Sequence, residues 1–444
     1  MPRLPLLEPP KGKDYHHRPV KGGHKAMLLG REKALELLSF ALRNCPADAA
    51  EAVLLSEESE VTRYARSEIH QNTSERNTTI YIRAEVGRRL GVVTTNRLDE
   101  RGLKEAAKLA AEVASSSPKV PHFPGFPKRG GRAKRRRSFY PETIAFGPDK
   151  RAEAVARIVK ILDTGGATGA GAVTKAVIEF AVANTAGLRR YHAVTFASCS
   201  VVAERDGAFG RAESSSMNAA ALEVEDVARK ALATCLKSED PLDLDPGEYE
   251  VILLPGAVAE LISTLGWMGL GAKRVEEGES FVLDWRGKRL APEFVNLVDD
   301  VGLRPLPFVP FDFEGVAKRR VHLIEGGVVK GVVYDTLTAA KAGTEPTGHA
   351  MPPGSIHGPM PTHLALLPGK ERLKSIVERT KFGLLVNYLH YVIPVDYRKT
   401  VVTGMTRYGT FLVEGGKVRR AVRNLRFTES IIGALSRVEA VSRE

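Results

Sequence analysis

The stretch from Glu250 to Asp300 constrains the fold more than any other part of the chain. A short apolar run, Val251 to Leu254, ends at Pro255-Gly256 and predicts a buried strand closed by a turn. Apolar residues then recur at helical spacing and predict an amphipathic helix that follows the strand directly: Val258, Leu261, Ile262, Leu265 and Met268. Because Pro255-Gly256 and Glu260 interrupt the apolar segment, we predict no membrane span here.

A strand that leads into a helix is a common place for catalytic groups, because the first turn of such a helix is rigid and electropositive. The polar side chains available on this helix are Glu260, Ser263, Thr264 and Trp267. The helix contains no His, Asp or Cys. The segment therefore has the outline of a chemical site without the side chains that usually perform chemistry.

Helices and strands alternate along the rest of the chain and predict an α+β protein. Residues 1–30 are rich in Pro, Lys and His, and we predict that they form a loosely ordered tail without a secretory signal. We predict an N-terminal α/β-mixed region with antiparallel sheets over residues 31–240. It consists of two subdomains, about 31–117 and 140–240, that a basic Pro/Gly linker joins. Residues 241–444 predict a β-rich, partly barrel-like C-terminal domain.

Short apolar runs place the strands within this outline. In the first subdomain they predict separate strands over residues 52–55, 61–64, 69–72 and 77–86. In the C-terminal domain, Gly326-Gly327 and Gly415-Gly416 each lie between two apolar runs and predict two hairpins. The strands before the second of these turns are expected over residues 400–402 and 410–413.

The net charge of the chain is +12, because Lys and Arg outnumber Asp and Glu by 65 to 53. Seven of these cations fall within the ten residues from Lys128 to Arg137. This basic loop has two interpretations: a patch for nucleic acid, acidic peptide or an anionic surface, or a solvated loop. No aromatic residue lies within the basic run, which favours the solvated loop.

The residue types that bind metals or form disulfides are sparse. Cys45, Cys199 and Cys235 lie far apart without CxxC spacing, which argues against a disulfide framework and favours a reducing cytoplasm. His349, His357 and His363 fall close together, but their Gly- and Pro-rich segment has no helical pattern that would place two of them on one face. We predict no metal site and no cofactor.

A series of short motifs occurs in a fixed order along the chain. In the C-terminal half they are Phe311-Asp-Phe-Glu-Gly-Val316, Leu323-Ile-Glu-Gly-Gly-Val328, Thr338-Ala-Ala340, Thr347-Gly-His-Ala350, Leu367-Pro-Gly369, Val402-Thr-Gly404 and Phe411-Leu-Val-Glu-Gly-Gly-Lys417. Earlier motifs are Val86 to Thr95, Asn184-Thr-Ala-Gly187, Pro246-Gly247, Glu279-Ser-Phe281 and Val298-Asp-Asp300. Together they resemble the TldD/PmbA (TldE) family of metallopeptidase-related proteins.

The resemblance implies an α+β subunit that pairs with a similar subunit around a chamber for proteolysis of unfolded peptides. In the TldD type, the strand-to-helix segment carries HExxxH, and a Cys beyond the C-terminal helix completes a zinc site. Aligned through Gly266, this chain has Ile262, Ser263 and Trp267 at the three motif positions. The chain ends at Glu444, about where the Cys-bearing tail would begin. It therefore resembles the metal-free PmbA/TldE type.

We expect no catalytic residue in such a subunit and assign none. A peptide would be held mainly by strand edges and backbone hydrogen bonds. The side chains we expect nearest to a peptide groove are Trp267, Thr347, Gly348, His349, Asn387, Tyr388 and His390. The expected partners are a TldD-like catalytic subunit or a second copy of this chain, together with an unfolded peptide. We expect neither a membrane nor nucleic acid as a partner.

Two other functions remain open. The first is a DNA- or protein-binding regulator without a peptidase role, for which the basic loop is the only support. The second is a hydrolase with a mechanism that does not use zinc. That mechanism needs a nucleophile and a base in contact, and the sequence identifies no such partner for Ser263 or Cys199.

Overall fold

The computed structural model describes residues 28–304 and 306–444. The predicted N-terminal tail, residues 1–30, lies almost entirely outside this part of the chain. Mixed helices and sheets fill the described part, and the predicted α+β class is confirmed. In the described residues, no helix is both long and apolar enough to cross a membrane.

The N-terminal region is built around one six-stranded sheet. Its elements in chain order are α1 (Gly30–Arg43), β1 (Ala49–Ala65), β2 (Glu68–Val86), β3 (Arg89–Thr95), α2 (Glu100–Ser116), α3 (Pro141–Ile144), α4 (Pro148–Asp163), β4 (Thr168–Asn184), β5 (Arg189–Arg205), β6 (Ala208–Ser216) and α5 (Val224–Lys237). The strand order is β3-β2-β1-β4-β5-β6, and every neighbouring pair is antiparallel. Because β1 pairs with β4, segments 31–117 and 140–240 contribute three strands each to a single sheet.

The strands β1 and β2 are longer than the sequence pattern indicates. Each is one continuous strand, of 17 and 19 residues, where we predicted two, so that prediction was wrong. In β1 the polar residue Glu60 is buried and forms ion pairs with Arg151 at 2.5 Å and Lys175 at 2.9 Å. Because Glu60 is buried and paired, it interrupts the apolar pattern of the sequence while the backbone hydrogen bonds of β1 continue past it. The two-residue turn between these strands places Arg66 and Ser67 at positive φ, which suits a tight hairpin.

Helices cover the sheet with two apolar cores. Helices α1 and α2 pack over the β1–β2 side with a core that includes Leu38, Leu54 and Ile80. Helix α4 packs over β4 and β1, helix α5 packs over β5 and β6, and the two helices share a core that includes Ile158 and Val201. Burial of these apolar side chains is the main favourable contribution to folding of this region.

The C-terminal region contains two smaller sheets. Its elements are β7 (Val251–Leu253), α6 (Pro255–Gly269), α7 (Ala272–Glu276), α8 (Val282–Trp285), β8 (Leu297–Asp299), β9 (Val321–Glu325), β10 (Val328–Val329), α9 (Thr336–Lys341), β11 (Leu364–Leu366), α10 (Leu373–Arg379), β12 (Phe382–Asp396), β13 (Val401–Glu414), β14 (Lys417–Ala421), β15 (Arg426–Ser430) and α11 (Ile431–Ser436). The sheet orders are β10-β9-β8-β11 and β14-β13-β12-β7, with β15 paired to β13. Neither sheet closes on itself within the described residues, so "partly barrel-like" described these open sheets only loosely.

Both predicted Gly-Gly turns are confirmed. Gly326 and Gly327 have φ values of 55° and 73°, and Gly415 and Gly416 have values of 56° and 74°. Each pair connects two antiparallel strands, β9–β10 and β13–β14. The strands around the second turn differ from expectation, because β13 is one 14-residue strand rather than two short ones. Its pairing with β12 shifts register opposite Val386 and Tyr388, as in a β-bulge, and such an irregularity resembles a strand end in the sequence.

Residues 117–140, which we call the basic strap, connect α2 to α3 and pack against both regions. The backbone N–H of Ala317 donates to Gly130 O at 2.6 Å. Lys134 forms an ion pair with Asp300 at 3.0 Å. The segment that we expected to be a linker is therefore held against the C-terminal region at Gly130 and Lys134.

The Gly326-Gly327 turn offers a test of how closely the backbone must pack there. A Cβ at residue 327 would lie 1.9 Å from Ala291 O, whereas a Cβ at residue 326 would meet nothing nearer than 3.9 Å. Both substitutions to Ala also force a positive φ, which costs about 1–2 kcal/mol. We expect Gly326→Ala to cost only that amount and Gly327→Ala to cost about 4 kcal/mol or more in urea unfolding. Equal losses would show that the turn relaxes freely.

Candidate functional site

The predicted strand-to-helix segment is present as β7 and α6. Pro255 occupies the first turn of α6, and the N–H of Leu254 donates to Val386 O at 2.9 Å. Strand β7 runs parallel to β12, and α6 then packs against β12. A Cβ at Gly256 would lie 2.6 Å from the ring of Tyr388, so the glycine lets β12 approach the start of the helix closely.

The three positions at which the HExxxH motif would fall lie on α6 in different surroundings. Ile262 is buried in the main apolar core of the C-terminal region, while Ser263 is exposed. Trp267 is half-buried, with its ring 5.5 Å from that of Tyr397. Arg274 stacks on both rings, 5.9 Å from Trp267 and 5.0 Å from Tyr397.

These side chains do not fit a zinc ion. Zinc in proteins is bound by thiolate, imidazole or carboxylate groups. The aliphatic side chain of Ile262 has no atom that can bind a metal, and the indole of Trp267 carries only a hydrogen-bond donor. Over residues 28–304 and 306–444, no group of three or more His, Cys, Asp and Glu side chains is arranged to hold a metal ion.

Three further residues that we predicted for a peptide groove lie along β12. The side-chain amide of Asn387 donates to Tyr408 O at 2.9 Å, so this group is already engaged. Tyr388 packs between Tyr408 and Arg211, and burial raises the pKa of its hydroxyl. His390 is half-buried beside the exposed ring of Tyr391. Whether these residues contact a peptide stays a prediction.

The segment Thr347-Gly348-His349 lies inside the C-terminal region. The side chain of His349 is 0% exposed, and its Nε2 donates to Asp299 Oδ1 at 2.8 Å. Gly348 has φ of 79°, and a Cβ there would lie 2.5 Å from Ala317 O. The His349 imidazole is thus closed off from solvent, so direct peptide contact by that side chain would require a rearrangement.

Asp299 organises the polar groups around His349. Its Oδ2 accepts the backbone N–H groups of Thr362 at 2.7 Å and His363 at 2.6 Å. Burial alone would raise the pKa of Asp299, but the hydrogen bond and the charge of its neighbours His349 and Lys318 lower it to about 2. Burial lowers the pKa of His349, and the hydrogen bond and charge of Asp299 oppose that shift. We did not single out Asp299 chemically, although it falls in the Val298-Asp-Asp300 motif.

The order Asp299, His349, Thr347 has the outline of a nucleophile triad, because Thr347 Oγ1 lies 2.9 Å from His349 Nδ1. The surroundings argue against that use. Thr347 Oγ1 also accepts the N–H of Tyr334 at 2.8 Å and lies 3.0 Å from Tyr334 O. The Thr347 hydroxyl is hydrogen-bonded to backbone groups and lies next to the fully buried imidazole of His349. Its role is therefore structural. The other nucleophile we considered, Cys199, is buried, and burial raises the pKa of its thiol to about 12.

A second buried polar group joins the N-terminal sheet to the C-terminal region. Arg83 Nη2 donates to Glu51 Oε1 at 2.7 Å and to Glu314 Oε1 at 3.0 Å. One guanidinium therefore serves two buried carboxyl groups, and the second oxygen of Glu51 has no hydrogen-bond partner. Burial raises the pKa of Glu51 to about 7, which makes Glu51 the member of the pair that holds a proton near neutral pH.

Asp312 belongs to the same junction. Its Oδ1 accepts the N–H groups of Glu314 at 3.0 Å and Val316 at 2.9 Å, and its Oδ2 accepts that of Ala350 at 2.9 Å. Burial, with the charge of Glu314 added, raises the pKa of Asp312 to about 8. Nothing in the Phe311–Val316 motif itself indicates that its two acidic residues are buried.

Comparison with known proteins identifies the family of the chain. Three domain models of one family match almost the whole described chain: PmbA/TldA metallopeptidase domain 1 over residues 50–114, the central domain over residues 139–238 and the C-terminal domain over residues 246–444. The chain belongs to the PmbA/TldA metallopeptidase family. The resemblance to TldD and PmbA is thereby confirmed.

Individual relatives are distant. The chain is 25% identical to a metalloprotease TldD homolog of Buchnera aphidicola over 49% of this chain and 45% of the relative. It is 26% identical to a metalloprotease PmbA homolog of Haemophilus influenzae over 46% of this chain and 43% of the relative. The matched part thus spans less than half the length of these curated relatives.

Solved structures share the fold over nearly the full length. TldE from Thermococcus kodakarensis superposes with a TM-score of 0.82 at 22% identity, over 93% of this chain and 94% of that one. A putative modulator of a DNA gyrase from Thermotoga maritima has a TM-score of 0.80 at 18% identity, over 92% and 93% of the two chains. At these identities the likeness establishes the fold and no more.

The junction carboxyl groups predict a pH dependence of stability. In the folded protein Glu51 holds its proton up to about pH 7 and Asp312 up to about pH 8, whereas both are ionised in the unfolded chain at these pH values. Stability should therefore fall as pH rises from about 6.5 to 8, and Glu51 contributes only to the part below about pH 7. The lowered pKa values of His349 and His363 act in the opposite direction only below about pH 6.5. Glu51→Gln resembles the protonated side chain and should flatten the fall below about pH 7 by up to about 1 kcal/mol per pH unit, with little effect nearer pH 8.

Urea unfolding across this pH range measures the effect. Glu57→Gln is the matched control, because Glu57 lies on the same strand and is exposed. It should show the same pH dependence as the unaltered chain. If Glu51→Gln also keeps the full dependence, Glu51 is ionised in the folded protein and the assignment of its proton is wrong.

Proposed function

We propose that this chain is a metal-free, TldE/PmbA-like subunit of a TldD/TldE-type metallopeptidase. In this role it pairs with a TldD-like catalytic subunit, or with a second copy of itself, and helps enclose a chamber in which unfolded peptides are cleaved. The observation that carries the proposal is the occupation of the motif positions on α6 by Ile262, Ser263 and Trp267, in a chain of this family. No His of the sequence is followed by Glu, so HExxxH does not occur elsewhere in these 444 residues.

The surroundings of α6 support a scaffold rather than a damaged enzyme. Ile262 is integrated into the apolar core with Leu265 and Met268, both fully buried. Trp267 is held by Tyr397 and Arg274. Since the replacements pack well, the helix is stable without a metal, and the region can contribute walls and strand edges to a shared chamber.

The strand β12 supports the pairing and peptide-binding parts of the proposal. Strand β7 pairs with β12 only up to Val386, and in the described residues no strand pairs with the rest of that edge, up to Asp396. Tyr391, Ile393 and Val395 alternate along this stretch and are exposed by 67%, 53% and 62%. We call these three residues the β12 apolar strip. Contiguous exposed apolar side chains are typical of surfaces that bind another protein or an extended peptide.

Neither alternative function gains a specific observation. Part of the charge expected for a DNA-binding patch is engaged within the chain, since Lys134 pairs with Asp300 and Arg136 donates to Gly302 O. For a hydrolase without zinc, neither candidate nucleophile is activated in the described part of the chain, because Cys199 is buried and the exposed Ser263 has no hydrogen-bonded base. A cytoplasmic location, which three free cysteines favour, belongs to the same proposal.

Complementation tests the assignment directly. The purified chain should contain far less than one zinc per molecule by elemental analysis and should not cleave unfolded peptides alone. Adding a co-purified subunit that carries HExxxH should produce cleavage that a chelator abolishes. A stoichiometric zinc ion together with chelator-sensitive cleavage by the isolated chain would overturn the proposal.

The β12 apolar strip predicts where the partner binds. Ile393→Asp should weaken association with the TldD-type subunit, or self-association, at least tenfold, because a charge would be buried in the interface. Ile69→Asp is the matched control, since Ile69 is 43% exposed on β2 of the other sheet. Sedimentation and pull-down measure both variants. Similar losses, or none, would place the interface elsewhere.

A further inference from the structure

The part of the basic strap nearest to the β4–β5 turn forms a cleft that the proposed function does not use. The cleft has a volume of about 470 Å³ and lies between residues 128–132 and residues 187–190. Its lining includes five cationic residues, Lys128, Arg129, Arg132, Arg189 and Arg190, although Arg189 extends its guanidinium to Ser39 of α1 on the other face of the sheet. No Asp or Glu lines it. We call it the cationic cleft.

None of the five cations is neutralised within the described chain. Lys128, Arg129 and Arg132 are exposed and make no ion pair or hydrogen bond there. Arg189 donates to the hydroxyl of Ser39, and Arg190 donates to the carbonyl oxygens of Gly131 and Gly315; all three acceptors are uncharged.

The rest of the strap differs from the cleft in this respect. Lys134 pairs with Asp300, Arg136 stacks on Phe308, and Arg137 stacks on Tyr140 at 4.4 Å and lies 3.9 Å from Glu142. Of the cations of the strap without an acidic partner in the described chain, Lys128, Arg129 and Arg132 line the cleft, whereas Arg135 and Arg136 lie outside it. Like charges around a concave surface raise the local potential and favour an anion.

The cleft is held in shape by the backbone on both sides. A Cβ at Gly130 would lie 2.0 Å from Gly315 O, so the strap and the C-terminal region touch at this point. On the other side, the side-chain amide of Asn184 donates to Pro127 O at 2.9 Å, and Asn184 Oδ1 accepts the N–H of Leu188 at 3.1 Å. The strap and the β4–β5 turn are thus fixed to one another, and the cleft exists before any ligand arrives.

We propose that the cationic cleft binds a compact oligophosphate: the phosphate chain of a nucleotide, or inorganic di- or triphosphate. Guanidinium groups bind phosphate oxygens in pairs, and three of the four cations on the strap side of the sheet are arginines: Arg129, Arg132 and Arg190. The volume falls in the range of small-molecule sites, about 300–1,000 Å³. No aromatic residue lines the cleft, so it offers no surface on which the bases of a single-stranded nucleic acid would stack.

Calorimetry with inorganic tripolyphosphate on the full chain tests the proposal. We expect one saturable site whose affinity decreases as salt rises from about 50 mM to about 200 mM. The double variant Arg129→Gln/Arg132→Gln should weaken binding at least tenfold and reduce the salt dependence. Its melting temperature should be unchanged, because neither side chain makes an internal contact.

Arg135→Gln is the matched control. Arg135 is exposed in the same strap and makes no contact in the described chain, but it does not line the cleft. It should change the affinity by less than about twofold. Nucleoside triphosphate and inorganic triphosphate, measured side by side, distinguish the two sources of the phosphate chain.

Three results would overturn the proposal. The first is absence of saturable binding, which would make the strap a solvated surface. The second is an equal loss of affinity in the Arg135→Gln variant, which would make the effect one of overall charge. The third is tighter binding of an oligoglutamate peptide or of single-stranded oligothymidine than of tripolyphosphate, which would assign the surface to a macromolecular partner.

Discussion

The guanidinium of Arg83 is the contact on which the arrangement of the two regions depends. It lies between Glu51 of β1 and Glu314 of the C-terminal region, and all three groups are largely removed from water. Loss of any one of them leaves a charged or polar group unpaired in the interior, which costs several kcal/mol. The stacked rings of Phe180 and Phe311, 5.1 Å apart, add apolar contact beside it.

From this contact a series of hydrogen bonds extends toward α6. The loop that carries Glu314 is closed by Asp312, which also holds the backbone of Ala350. The adjacent His349 binds Asp299, and Asp299 fixes the backbone at His363, immediately before β11. Strand β11 in turn contacts α6, where Gly266 leaves room for Leu364. The helix that carries the altered motif is therefore positioned by buried polar groups that start in the other region.

Much of this organisation was readable from the sequence, and the exceptions have a common physical cause. The strand-to-helix segment and both Gly-Gly turns were predicted because each has a local signature: an apolar run, a helical period, or residues suited to positive φ. The continuity of β1 was missed because Glu60 is polar yet buried, and its partners Arg151 and Lys175 lie about a hundred residues away. Hydrophobic patterns do not reveal such pairs, since the pattern treats every charge as exposed.

The same limit applies to the candidate site. The residues on α6 were identified by their motif positions, but Asp299, Asp312 and Arg83 became visible only when the fold brought distant segments together. The motifs Val298-Asp-Asp300 and Phe311–Val316 marked two of these places without indicating their chemistry. Conversely, His349 was expected near a groove together with the loop around Thr347, and the fold uses it as a buried hydrogen-bonding group.

The central position of β1 has a consequence for how the protein is made. As the nascent chain leaves the ribosome, β1 can pair with β2 at once, but its other edge stays open until β4, more than a hundred residues later, has been synthesised. An unpaired edge of this length is a template for association with other chains. Until β4 is available, the open edge of β1 is therefore the part of the sheet most exposed to association with other chains.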